Sequence, residues 1–117
     1  MAVTATRVTT IVYTGDTTGT ETVSAASNTA SPGMIEIKTL ASGDNTITVP
    51  TGGTTPTACT LLPPAGNTAT IKIKGVTGDT GVSLHLTDPS TFALNSSVTT
   101  FLLVTGAAVT GARLYWT

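Results

Sequence analysis

Ala69-Thr70-Ile71-Lys72-Ile73-Lys74-Gly75-Val76, followed by Thr77-Gly78-Asp79-Thr80-Gly81, is the stretch from which the fold class is read. Ile71 and Ile73 alternate with Lys72 and Lys74, the two-residue period of a strand with one buried and one wet face. Gly78-Asp79-Thr80-Gly81 reads as a tight turn, because Gly and Asp accept the positive φ that hairpin turns demand. Beyond it, Val82, Leu84 and Leu86 alternate with Ser83, His85 and Thr87, so a half-buried partner strand is expected.

Upstream, Met34 to Ala41 places Ile35, Ile37 and Thr39 on one face and Glu36 and Lys38 on the other. Ser42-Gly43-Asp44-Asn45 turns it into Thr46-Ile47-Thr48-Val49, where Ile47 and Val49 alternate inward before Pro50-Thr51-Gly52-Gly53 breaks the strand. Two further runs, Thr6 to Thr14 and Thr20 to Ala26, precede a polar loop through Ser31-Pro32-Gly33. Thr57 to Leu62 ends at the breaker Pro63-Pro64-Ala65-Gly66-Asn67. Thr87-Asp88-Pro89-Ser90 opens a loop whose Phe92 and Leu94 would plug one end of the core. The last strands are expected at Val98 to Thr105 and Thr110 to Thr117, joined near Gly106. No apolar i, i+3, i+4, i+7 stripe persists, so no amphipathic helix is expected. The reading is all-β: a single domain over residues 1–117, built as an antiparallel β-sandwich of eight or nine short strands. The jelly roll is one arrangement that fits.

Composition narrows function. Charged residues are 9% of the 117, against roughly 25% in ordinary soluble domains, and threonine fills about a quarter of the chain. Threonine is β-branched and favours extended backbone, while its hydroxyl suits either water or a neighbouring chain. A surface this poor in charge fits a protein whose faces are covered by other subunits. Net charge is −1, and Arg7, Lys38, Lys72, Lys74 and Arg113 are scattered, so no footprint for nucleic acid or an anionic membrane is apparent. Pro89 to Ala112 has no charge, but Pro89, Asn95, Gly106, Gly111 and several Thr deny it the apolar density of a spanning helix. Met1 to Arg7 turns polar at once, unlike a secretory leader.

Chemistry-bearing residues are few. His85 is the only histidine, on the outward parity of its expected strand, with Asp79 and Asp88 in turns at opposite ends of that strand. Catalysis would need a partner within hydrogen-bond reach, and a metal would need two or three more ligands, so a structural role is expected. No Ser lies in a Gly-x-Ser-x-Gly context, and phosphate-loop and EF-hand patterns are missing. Turn chemistry accounts for Asp16, Asp44, Asp79 and Asp88, with a single Ca²⁺ in a loop at Asp44 or Asp79 left open. Cys59, the lone cysteine, is read as a small buried hydrophobe, and Asn95-Ser96-Ser97 as a chance match to a glycosylation sequon. No catalytic residue, cofactor or metal is assigned. Tyr13, Tyr115 and Trp116 are the candidate interface or glycan contacts; Tyr115 and Trp116 point to opposite faces, so at most one of the two is exposed.

Leu40-Ala41-Ser42-Gly43-Asp44-Asn45-Thr46-Ile47-Thr48-Val49-Pro50, the Pro63-to-Asn67 breaker, Gly75-Val76-Thr77-Gly78-Asp79-Thr80-Gly81 and the aromatic finish resemble small virion proteins of tailed bacteriophages. The resemblance covers Leu40 to Thr117 and rests on turn signatures. It implies a non-enzymatic virion component, made in the host cytoplasm, whose partners are other virion proteins and copies of itself, a trimer being favoured. Tail or baseplate association is the first expectation, and capsid decoration on the head surface is the alternative. A carbohydrate-binding module for host or environmental glycans is a further alternative. In this frame residues 1–14 form an intersubunit strand or arm, with Thr6 to Thr14 adding to a neighbour's sheet edge.

Overall fold

The computed structural model describes residues 3–13, 19–30, 35–51 and 55–117, and, before residue 35, the side chains of Arg7 and Val8 alone. Its elements, in chain order, are β1 (Val3–Tyr13), β2 (Gly19–Ala30), β3 (Ile35–Leu40), β4 (Gly43–Thr48) and β5 (Ala58–Leu62). They continue with β6 (Ile71–Lys74), β7 (Val82–Ser83), β8 (Ser90–Ala93), β9 (Thr100–Thr105) and β10 (Val109–Trp116). No helix occurs among the described residues, so none is long and apolar enough to cross a membrane.

Eight strands build the sandwich. One sheet runs β3-β10-β5-β8 and the other β4-β9-β6-β7, all pairings antiparallel. Counted from β3, the orders are first-eighth-third-sixth and second-seventh-fourth-fifth, which is jelly-roll topology. Only the β6–β7 connection stays within one sheet; every other link from β3 onward crosses the core from one sheet to the other. The first two strands stand apart: β1 and β2 pair with each other as a two-stranded sheet, and no strand of the sandwich meets them over any length.

The corners explain the crossings. Gly43 takes φ +97°, and Asn45 clamps the bend: its Oδ1 accepts the Ala41 N–H at 2.9 Å, and its Nδ2 donates to Ala41 O at 2.8 Å and Leu103 O at 3.1 Å. The expected turn at 42–45 is therefore real, but it swings the chain into the opposite sheet instead of closing a hairpin. Buried Thr105 secures the same corner by donating to Ala41 O at 2.7 Å.

Leu40, Cys59, Leu61, Ala112, Leu114 and Trp116 on one sheet face Ile47, Ile71, Phe101 and Leu103 on the other, all nearly inaccessible. Trp116 and Phe101 meet across the core, centroids 6.3 Å apart and planes tilted 58°, an edge-biased aromatic packing. β10 reaches this arrangement through a bulge. Thr110 opposes Thr39 and Ala112 opposes Lys38, so Gly111, at φ +85°, is an extra residue. The insertion switches the buried parity from Val109 to Ala112, Leu114 and Trp116.

Two expectations are corrected. Val82 to Thr87 is not a half-buried strand: only Val82 and Ser83 pair, Val82 is exposed, and the chain turns at His85. The Thr87–Leu94 segment is not a loose plug either. Ser90–Ala93 is the edge strand β8 beside β5, although Phe92 and Leu94 do pack against the core as expected.

A Cβ at position 111 would meet no atom within 4 Å, so Gly111→Ala isolates the conformational cost of the bulge. Denaturant unfolding is expected to show a loss of about 1–2 kcal/mol, the penalty for a left-handed alanine. An unchanged midpoint would show that the positive φ does not hold the register.

Candidate interaction face

The parity switch at Gly111 decides which aromatic faces outward. Tyr115 stands on the outer face of the β3 sheet, half-buried, while Trp116 is wholly enclosed. The indole N–H of Trp116 donates to Glu36 Oε1 at 3.1 Å, and Glu36 Oε2 pairs with Lys38 Nζ at 3.2 Å. Glu36 must therefore lie on the core side of β3, with Lys38 and Leu40. β3 is thereby reversed relative to an ordinary half-buried strand: its charged residues turn inward at the rim, and Ile35 and Ile37 turn to the outside.

Their exposure is large, 59% for Ile35 and 69% for Ile37. Pairing register extends the face across the sheet. Ile35 lies beside Tyr115, then Thr60, then Thr91, whose hydroxyl is 2.8 Å from that of Thr60. Ile37 lies beside Arg113 and then Leu62. Arg113 is the one charge in these two rows and has no ion-pair partner among the described residues. The bulge also opens a cavity of about 270 Å³ at the end of this face, lined by Leu62, Pro63, Pro64, Ala65, Gly111 and Arg113.

The opposite outer face is closed off. Its rows read Asp44-Val104-Lys72-Ser83 and Thr46-Leu102-Lys74. Lys74 Nζ pairs with Asp44 Oδ1 at 3.1 Å, and Thr77 Oγ1 donates to Asp44 Oδ2 at 3.2 Å. Leu102, although outward, is only 8% exposed, and Thr46 and Lys74 flank it in register. One face of the sandwich is sealed by its own charges; the other is not.

The remaining sequence candidates fall as follows. Trp116 is core and is unavailable to a glycan, Tyr115 is the accessible one of the pair, and the side chain of Tyr13 lies outside the described residues. His85 Nδ1 accepts the N–H groups of Thr87 at 3.2 Å and Asp88 at 2.9 Å, so it closes a turn. Asp88 was expected at the far end of a strand; because the strand stops, its Oδ1 comes to 3.7 Å from that nitrogen, with both side chains exposed. Asp44 is held by Lys74 and Thr77, and Asp79 Oδ2 by the Val76 N–H at 3.2 Å. Among the described residues no three His, Cys, Asp or Glu side chains come together to hold a metal. Asn95 spends its Oδ1 on the N–H and hydroxyl of Ser97. Compared with family models, with curated proteins and with solved structures, the chain matches none.

Cys59 is buried, and that burial, followed by the nearby negative charge of Glu36, pushes its thiol from 9.0 up to about 12. The folded state thus favours the neutral thiol. Its contribution to stability is full below pH 9 and is lost as the pH rises towards 12. At pH 8 the native chain is expected to resist a thiol-reactive probe and to react once unfolded. Equal rates in the two states would contradict the burial.

Proposed function

We propose that the chain is a non-enzymatic structural subunit of a tailed-phage virion, tail- or baseplate-associated, that assembles through uncharged β surfaces. The observation that carries the reading is the outward placement of Ile35 and Ile37 beside Tyr115. Burying each such side chain is worth about 1.5–3 kcal/mol, so a partner surface that covered both would gain from them. The virion assignment is drawn from the resemblance of the turn signatures to those of small phage proteins. It agrees with a surface whose solubility rests on Thr instead of charge. A capsid decoration role would use the same face at a different place on the particle. The glycan reading has weaker support, since a single half-buried Tyr115 offers no row of stacking rings.

Light scattering of the purified chain is expected to return a closed oligomer, a trimer first. Removing residues 1–14 is expected to reduce it to a monomer. A monomeric full chain at high concentration would sink the assembly reading. Gold-labelled antibody on particles is expected to mark the tail; label on the head would move the assignment to decoration, and unlabelled particles would remove it.

A further inference from the structure

β3 is an edge strand: β10 pairs along one side of it, and among the described residues no strand pairs along the other. It lies on the same flank as β4, to which only Ala41 and Ser42 join it, and both strands are six residues long. The opposite flank ends in β7 and β8, two and four residues long, short enough to deter pairing. The row of outward N–H and C=O groups along β3 is a template for a further strand.

Inward-pointing charges on an edge strand ordinarily guard against such pairing, and β3 carries Glu36 and Lys38 on its inner side. Against a second copy of β3 the guard depends on register. Two copies that continue one sheet through antiparallel edges are related by a two-fold axis normal to that sheet, and residues opposite each other then share a face. The axis must therefore pass beside a residue, and near the middle of β3 that leaves Glu36, Ile37 and Lys38. Centring on Glu36 or on Lys38 sets two like charges directly opposite, which is destabilising. Centring on Ile37 sets each Glu36 opposite the Lys38 of the other copy.

The outer face gains in the same register. Ile37 meets its own copy at the axis, and exposed Ile35 meets exposed Thr39. About four to six backbone hydrogen bonds join the strands, according to which residues turn their N–H groups outward. The flank of two stacked six-residue strands measures about 20 Å by 20 Å, or roughly 400 Å², half of what a standard interface takes from each partner. A contact of that size is transient between free chains, so it joins copies that another contact has already brought close.

We infer that the free edge of β3 pairs antiparallel with β3 of a second copy of this chain, across a two-fold axis beside Ile37. The inference rests on the assembly reading and adds a second contact to it, one that links a closed oligomer to the next through their sheet edges.

The test uses full-length chains carrying Ile35→Cys, Ile37→Cys or Thr39→Cys, all at exposed positions. Native Cys59 is buried and serves as the unreactive background. Directly opposed Cα atoms lie about 4.5–5.5 Å apart, within disulfide reach, whereas the two copies of position 35 lie about 14 Å apart along the strands. Under mild oxidation Ile37→Cys is expected to form a disulfide dimer about tenfold or more faster than Ile35→Cys. Differently tagged Ile35→Cys and Thr39→Cys chains, once mixed, are expected to link to each other as fast as Ile37→Cys links to itself. Equal rates for Ile35→Cys and Ile37→Cys alone would mean random collision. Preferential linkage of Ile35→Cys to Ile37→Cys would mean the Glu36-centred register; either result overturns the inference. An intact oligomer with no link at position 37 overturns it too, giving the edge to another strand, residues 1–14 included, and leaving the assembly reading in place. A monomeric mass without the link overturns both.

Discussion

The sandwich depends on Trp116 lying inside it. One indole fills the space between the sheets against Phe101, and its N–H needs an acceptor in a place water does not reach. Glu36 supplies that acceptor from the neighbouring strand, and Lys38 balances its charge. A buried donor left alone costs about 1–3 kcal/mol, so the carboxylate's place on the inner side of β3 is strongly favoured. Strand periodicity does the rest. With Glu36 and Leu40 inward, Ile35 and Ile37 have nowhere to go but out. The apolar outer face is thus a consequence of how the core's largest side chain is satisfied.

That chain of cause begins at Gly111. Without the extra residue, the parity set by Val109 would carry position 111, Arg113 and Tyr115 inward and Leu114 outward, placing a guanidinium on the core side with Leu40 and Leu61. An unpaired buried charge is far more costly than a left-handed glycine, so the bulge is the cheaper arrangement by several kcal/mol. The same kink leaves the depression beside Pro63 and Pro64 and sets Arg113 at its rim. A single backbone adjustment therefore selects the buried aromatic, shapes the outer face and places that face's only charge.

Much of this was legible in the residues. The alternations at Ile71–Lys74 and Thr46–Val49, the breakers at Pro50 and Pro63, and the turn glycines at 43, 66, 78 and 81 mark real boundaries, because each is a local preference. What was not legible is non-local. His85 and Leu86 continue an apolar/polar alternation on paper, yet the imidazole takes two backbone N–H groups and ends the strand, a contest periodicity cannot see. Ser90–Ala93 reads as loop because β8 is an edge strand supported only by β5. The reversal of β3 left one trace: Leu40 shares parity with Glu36 and Lys38, in conflict with Ile35 and Ile37, and which set faces inward is decided 80 residues away.

The two outer faces differ in what it would cost to cover them. Lys72, Lys74 and Asp44 cover one sheet, so stacking through that face would strand charges away from water. On the other sheet Arg113 stands among uncharged neighbours, and any partner that covers it must bring an acceptor or leave it unpaired. On the proposed assembly reading, the apolar residues would supply affinity and the lone guanidinium would restrict what can cover the face. A surface of Ile and Thr alone would have adhered to any exposed strand, including the outer edges of β3 and β8 on other copies. With one cation set beside two isoleucines and a tyrosine, a plain apolar strand laid on the face would leave the guanidinium without an acceptor, so on the assembly reading the face favours a partner that brings one.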